Sequence, residues 1–194
     1  AQMIKDLRDA TGAPMGDCKK ALTESNGDQK AALEYLQKKS LASAQKKAGR
    51  AAVEGRVASY VHHDGRSGCI AEVNCESDFV AKTEDFQNLL REVGMHIAAA
   101  DPKWVRREDV PAEAIEREKS IYRAQMEGSG KPANVIEKIV EGKLEKFYQE
   151  NCLLEQSFIK DPAVIIKDLL SQKIAKIGEN MNIRRFTRYQ LGEA

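Results

Sequence analysis

The sequence predicts an α+β protein, and three observations carry the prediction. Apolar residues recur at helical spacing along most of the chain. One central stretch switches to a period of two on either side of a turn-forming cluster, and a second period-two stretch comes near the end. Helices that separate an early hairpin from a late strand imply a sheet closed by the C-terminal segment, three-stranded and mainly antiparallel.

Three short helices open the chain. Ile4 and Leu7 mark one face of the first, Thr11-Gly12-Ala13-Pro14 is turn chemistry, and Pro14 is placed to begin the second. Met15, Cys18 and Leu22 form its apolar stripe. Asn26-Gly27-Asp28 punctuates again; Asp28 can cap a third helix whose buried side is Ala32, Leu33 and Leu36. Residues 1–40 thus read as a very small bundle, 41–55 as a basic linker and 56–194 as the core.

From Lys38 to Arg56 the composition turns to alanine, glycine and basic residues, a helical or flexible connector. No aromatic residue interrupts this run to stack on bases, so it reads as a solvated face and not as an RNA-binding arm. Arg56 to His62 then alternates, Asp64 to Gly68 is a turn cluster, and Cys69 to Cys75 resumes a strand: a hairpin. Phe86, Leu89, Leu90, Val93 and Ile97 make a long amphipathic helix to pack on it, stopped by Asp101-Pro102. Pro111 and Pro132 open two further helices, separated by Gly128-Ser129-Gly130, which form a helical hairpin over about 111–150. Asp161-Pro162 is expected to cap a final helix through Leu169, Leu170, Ile174 and Ile177, ended by Gly178. Met181 to Leu191 alternates as the last strand.

Composition narrows the function classes. The 31 basic and 30 acidic side chains nearly cancel, which favours a protein partner over nucleic acid. Cys18, Cys69, Cys75 and Cys152 include no CxxC pair and stand in no metal-ligand pattern with His62, His63 and His96; buried apolar thiols and no metal are expected. No signal peptide or long apolar run occurs, so a reducing interior and no membrane partner are expected.

No catalytic constellation stands out either. Gly128-Ser129-Gly130-Lys131 looks like a phosphate loop only in part. Gln125 stands where the first glycine is needed, and Pro132 where a Ser or Thr is needed. It reads as a helix-helix turn. With no GxSxG, HExxH or dinucleotide fingerprint, a non-enzyme without cofactors is expected. The segment Asn74 to Lys82 stands apart, because an acid and a phenylalanine, Asp78-Phe79, fall on a connection between strand and helix. Periodicity leaves Phe79 open between a core place under the helix and an exposed one.

Asn74-Cys75-Glu76-Ser77-Asp78-Phe79-Val80-Ala81 resembles the Asp-Phe-Val signature of the elongation factor Ts family, with Ser77 where Thr is usual. Leu7 to Ala13 and Asp17 to Leu22 are similar to that family's N-terminal signature, and Lys176 to Asn180 with Arg184-Arg185-Phe186 to its late one. The resemblance implies a guanine nucleotide exchange factor that binds elongation factor Tu. The opening bundle would be ubiquitin-associated-like and dock on the partner's nucleotide-binding domain through Arg8, Met15 and Lys19. Gly16 and Pro14 depart from the family there, altering some apolar contact. Asp78 and Phe79, followed by Val80 in the same signature, match the pair inserted near the partner's magnesium site, loosening Mg²⁺ and the phosphate loop. Ile177 and Gly178 match flanking contacts, and His62 resembles a histidine that longer members use in the second half of their core. A single core copy implies the short form, a homodimer joined through its sheets. It would work in a bacterial cytoplasm or a plastid or mitochondrial interior.

Overall fold

Gly12, Pro14 and the Asn26-Gly27 pair cut the start of the chain into helices in the computed structural model, which describes residues 2–193. The elements run α1 (Gln2–Thr11), α2 (Met15–Glu24), α3 (Gln29–Lys47), β1 (Glu54–Val61), β2 (Ser67–Cys75), α4 (Asp78–Ala81), α5 (Glu84–Ala100), α6 (Ala112–Ala124), α7 (Ala133–Asn151), β3 (Ser157–Phe158), β4 (Asp161–Ile165), α8 (Ile166–Ile177) and β5 (Met181–Gln190). They divide into two compact units, residues 2–98 with 167–193, and residues 99–166. The α+β class is as the sequence predicts.

In the first unit α1 to α3 form the small bundle around Leu7, Cys18, Ala21, Leu22, Ala32 and Leu36. Asn26 and Gly27 both take the left-handed conformation that the turn between α2 and α3 requires. The Asp28 carboxylate caps α3, accepting from the backbone N–H of Lys30 at 2.8 Å and of Ala31 at 3.1 Å. Two residues of the expected apolar stripes are not buried. Met15 begins α2, a turn ahead of buried Cys18, and is 55% exposed; Leu33 sits about 100° around α3 from buried Ala32 and is 38% exposed. The basic stretch after Leu36 stays helical as far as Lys47.

The sheet has the order β1-β2-β5 and both pairings are antiparallel. β2 is central, so Cys69, Ala71, Val73 and Cys75 are buried on one face in period two, beside Ile183 and Met181 of β5. Phe86, Leu89, Val93 and Ile97 of α5 are fully enclosed. The helix approaches the hairpin closely at Gly94, where a Cβ would lie 2.8 Å from that of Tyr60 and where the carbonyl accepts from the Cys69 thiol at 3.3 Å. The other face of the sheet leaves Val57, Val61, Ile70 and Tyr189 in solvent.

The second unit contains the expected helical hairpin, α6 and α7, tied by Arg123 to Glu137 at 2.9 Å. Val110, Tyr148 and Cys152 form its core with Trp104, Leu144 and Phe147 packed against them. Arg107 forks onto both Glu155 oxygens at 2.7 Å and lies over the Tyr148 ring. Contrary to the expectation from sequence, Asp161-Pro162 does not cap the last helix. It opens β4, which pairs with β3 in a separate two-stranded sheet, and α8 begins only at Ile166. The β-branched pair Val164-Ile165 favours strand over helix, and Pro162 is tolerated because the strand is an edge.

All four cysteines are buried free thiols, as their unpaired spacings predict. Burial raises the Cys69 and Cys75 thiols above the ordinary range and pushes Cys152 up to about 11.

Candidate functional site

The Asp78-Phe79 segment lies in a single helical turn, α4, that could not persist alone because so short a helix closes almost none of its own hydrogen bonds. Its order comes from its ends and its underside. Ser77 Oγ accepts from the Val80 N–H at 3.3 Å, and the Phe79 carbonyl accepts from the Lys82 N–H at 3.2 Å. Val80 and Ala81 are buried and seat the turn on the core. Phe79, on the other side, is 76% exposed. The core place left open for it by periodicity is therefore not taken. Val80, grouped with it on sequence resemblance, is the anchor beneath and is not available at the surface.

Asp78 is exposed and pairs with Lys82 at 2.6 Å, one helical turn on. That hydrogen bond and the adjacent ammonium charge hold its carboxyl below the usual carboxylate range. The turn thus offers an ionised acid beside a bare aromatic ring.

The second piece of the site comes from the other end of the chain. Gly178 ends α8 in the left-handed conformation, its N–H reaching the Ile174 carbonyl at 2.9 Å, which turns the chain sharply into Glu179. One Glu179 oxygen accepts from the backbone N–H groups of Glu76 at 3.1 Å and Ser77 at 3.0 Å; the other accepts from the Ser77 hydroxyl at 2.6 Å. Glu76 returns the contact by accepting from the Asn180 N–H at 2.6 Å. The Asn180 side chain donates to the Arg50 carbonyl at 2.7 Å, and the Arg50 guanidinium lies 3.5 Å from Glu76. This crossed pair of carboxylates places half-buried Ile177 and exposed Gly178 next to α4.

Arg8, Met15 and Lys19 are all exposed on the small bundle. The bundle's Thr11 to Pro14 turn and α3 line one cavity with Gln172, Ala175 and Lys176 of α8, so the bundle sits beside the helix that leads into Gly178. His62 is not brought to this place. Glu54, at the start of β1, pairs with Cys75 beside α4, whereas His62 follows Val61 at the far end, about 23 Å away at the rise of a strand. There its Nδ1 lies 3.1 Å from the Tyr60 hydroxyl and its ring 4.2 Å from that of His63.

Glu76, Glu179 and Asn180 escaped the sequence reading as site residues. Their partners lie 102 to 104 residues away, so no local spacing signals them. Among the described residues no group of three or more His, Cys, Asp or Glu is arranged to hold a metal ion, and no helix is long and apolar enough to cross a membrane.

The chain matches the family model described as Elongation factor TS over residues 43–193. It is 61% identical over 193 residues to the elongation factor Ts of Carboxydothermus hydrogenoformans, covering 100% of this chain and 89% of that one. Identity to the elongation factor Ts of Fervidobacterium nodosum is 61% over 193 residues, covering 98% of that protein, and to that of Geobacter sulfurreducens 57%, covering 89%. A family match over most of the chain, with relatives this similar from end to end, means that the chain belongs to the elongation factor Ts family.

Proposed function

We propose that this chain is a guanine nucleotide exchange factor: it binds elongation factor Tu loaded with GDP, inserts Phe79 and Asp78 near the partner's Mg²⁺ and phosphate loop, and so releases the nucleotide. The observation that carries this reading is the bare Phe79 ring on an anchored turn. Leaving a phenylalanine in water forgoes roughly 1.5–3 kcal/mol of burial, which a chain recovers if the ring fills a pocket in a partner. Such a site needs no nucleophile or base. A GTPase holds its nucleotide largely through Mg²⁺ bridging the phosphates and through backbone donors of the phosphate loop, and a wedge that displaces them lowers affinity without touching a covalent bond. Coupling is reciprocal, so GDP must weaken this chain's binding as much as this chain weakens GDP's, and the complex is transient in the presence of nucleotide.

Arg8, Met15 and Lys19 are proposed to dock on the same partner through the small bundle, with Ile177 and Gly178 flanking the wedge. The proposed setting is the bacterial cytoplasm. The test is stopped-flow release of a fluorescent GDP from elongation factor Tu: this chain is expected to accelerate release at substoichiometric concentration, and release at the spontaneous rate at every concentration refutes the reading.

His62 lies too far from Phe79 to act beside it in one chain, and it adjoins the exposed apolar face of Val57, Val61, Ile70 and Tyr189. We propose that a second copy covers this face, forming a homodimer. Sedimentation should then give twice the chain mass, and Val61→Lys, which puts a charge on the covered face, should give the monomer mass with a cooperative melt retained, its midpoint lowered only by the lost association.

A further inference from the structure

We infer that Glu179 is a positioning residue for Phe79: its carboxylate holds the backbone that enters α4 and thereby sets where the ring stands. This inference rests on the exchange reading above and assigns a role to a residue outside the wedge itself. Both Glu179 oxygens are used, and all three donors belong to Glu76 and Ser77, the two residues immediately before Asp78. One of these donors is the hydroxyl that caps α4 at Val80, so the carboxylate fixes the cap as well as the strand that leads into it. A four-residue helix has no rigidity of its own, and its orientation is that of its attachments. Those attachments are the buried Val80 and Ala81 below and the Glu179 carboxylate at the entry. The reciprocal bond from Asn180 to Glu76 makes the junction two-sided, so neither segment can shift alone.

A staple that only joined the end of β2 to the start of β5 would predict something different. That pairing already has its own ladder, from Cys75 opposite Met181 to Ser67 opposite Gln190. Loss of the carboxylate should therefore loosen α4 more than the sheet.

The experiment is a double-mutant cycle on the full chain, reading release of fluorescent GDP from elongation factor Tu. Glu179→Ala should lower the saturating release rate about tenfold, with the half-saturating concentration moving less than about threefold. Glu179→Gln should restore most of the rate, because its amide oxygen still accepts from both N–H groups. In a Phe79→Ala background Glu179→Ala should have no further effect, since a positioning residue has nothing left to position. Ser77→Ala should give a smaller loss with the same dependence on Phe79, and it decides the matter if Glu179→Ala fails to fold. Equal fractional losses with and without Phe79, or an unchanged rate beside a lowered melting temperature, would overturn the assignment while leaving the exchange reading standing. If the parent chain does not accelerate release at all, both fall.

Discussion

Phe79→Ala should cut stimulated GDP release at least about thirtyfold, the size of an interface hot spot of 2 kcal/mol or more, and leave the melting temperature within about 2 °C of the parent. The two halves of this expectation come from different parts of the structure. The ring is 76% exposed, so its removal opens no cavity and exposes little that was covered. Val80 and Ala81 carry the burial of α4 and are unaltered. On the proposed reading, however, exchange asks the ring to occupy a pocket in the partner, and a methyl group would not fill it. Asp78→Ala should act in the same direction through its lost polar contacts, and because Asp78 adjoins Phe79 the two losses need not multiply. Thermal melting and stimulated release, measured side by side, decide the point. A Phe79→Ala protein that melts far earlier yet exchanges normally would refute the wedge.

Phe86→Ala is the opposite case. Only seven residues further on, the same side chain is fully enclosed on α5, and truncation there leaves a cavity as well as removing burial. The expected cost is about 3–5 kcal/mol, which for a chain of this size lowers the melting temperature by on the order of 10 °C. Exchange below the new transition should be reduced far less than by Phe79→Ala, since α4 keeps its cap and its Glu179 contacts. Urea unfolding for the free energy and thermal melting for the midpoint, alongside the release assay, test this. A melting temperature within about 2 °C of the parent would mean that α5 does not carry the core.

The contrast between these two phenylalanines shows what the sequence could and could not reveal. Phe86 belongs to a run with Leu89, Leu90, Val93 and Ile97, long enough for its period to declare a helix and its buried face. Phe79 belongs to one helical turn, shorter than the period that would assign it a face, so its place on a strand-to-helix connection marked it as unusual and resemblance alone gave it a role. The β1-β2 hairpin was legible from alternation around its turn, and β5 likewise. The β3-β4 pair was not: β3 has two residues, and the apolar run through Ile165 into α8 merges a strand with the helix after it. Leu33 and Met15 show the same limit, for apolar residues at a helix edge fit a stripe whether or not anything covers them. The Glu76 and Glu179 junction lay beyond any local reading, because it is a property of the closed sheet.

That junction also orders the events of folding. Residues of β2 pair with residues of β5 about 110 positions later, Val73 with Ile183 among them, and contacts of such long range are late and slow because a large loop must close first. As the chain leaves the ribosome, the opening bundle and the β1-β2 hairpin can form from local contacts. The turn bearing Phe79 has no fixed entry until Glu179 has been synthesised and the last strand has docked. If Phe79 is the proposed wedge, a nascent chain carries its aromatic ring unaimed, and competence to engage a GTPase through it would arrive only with the completed sheet.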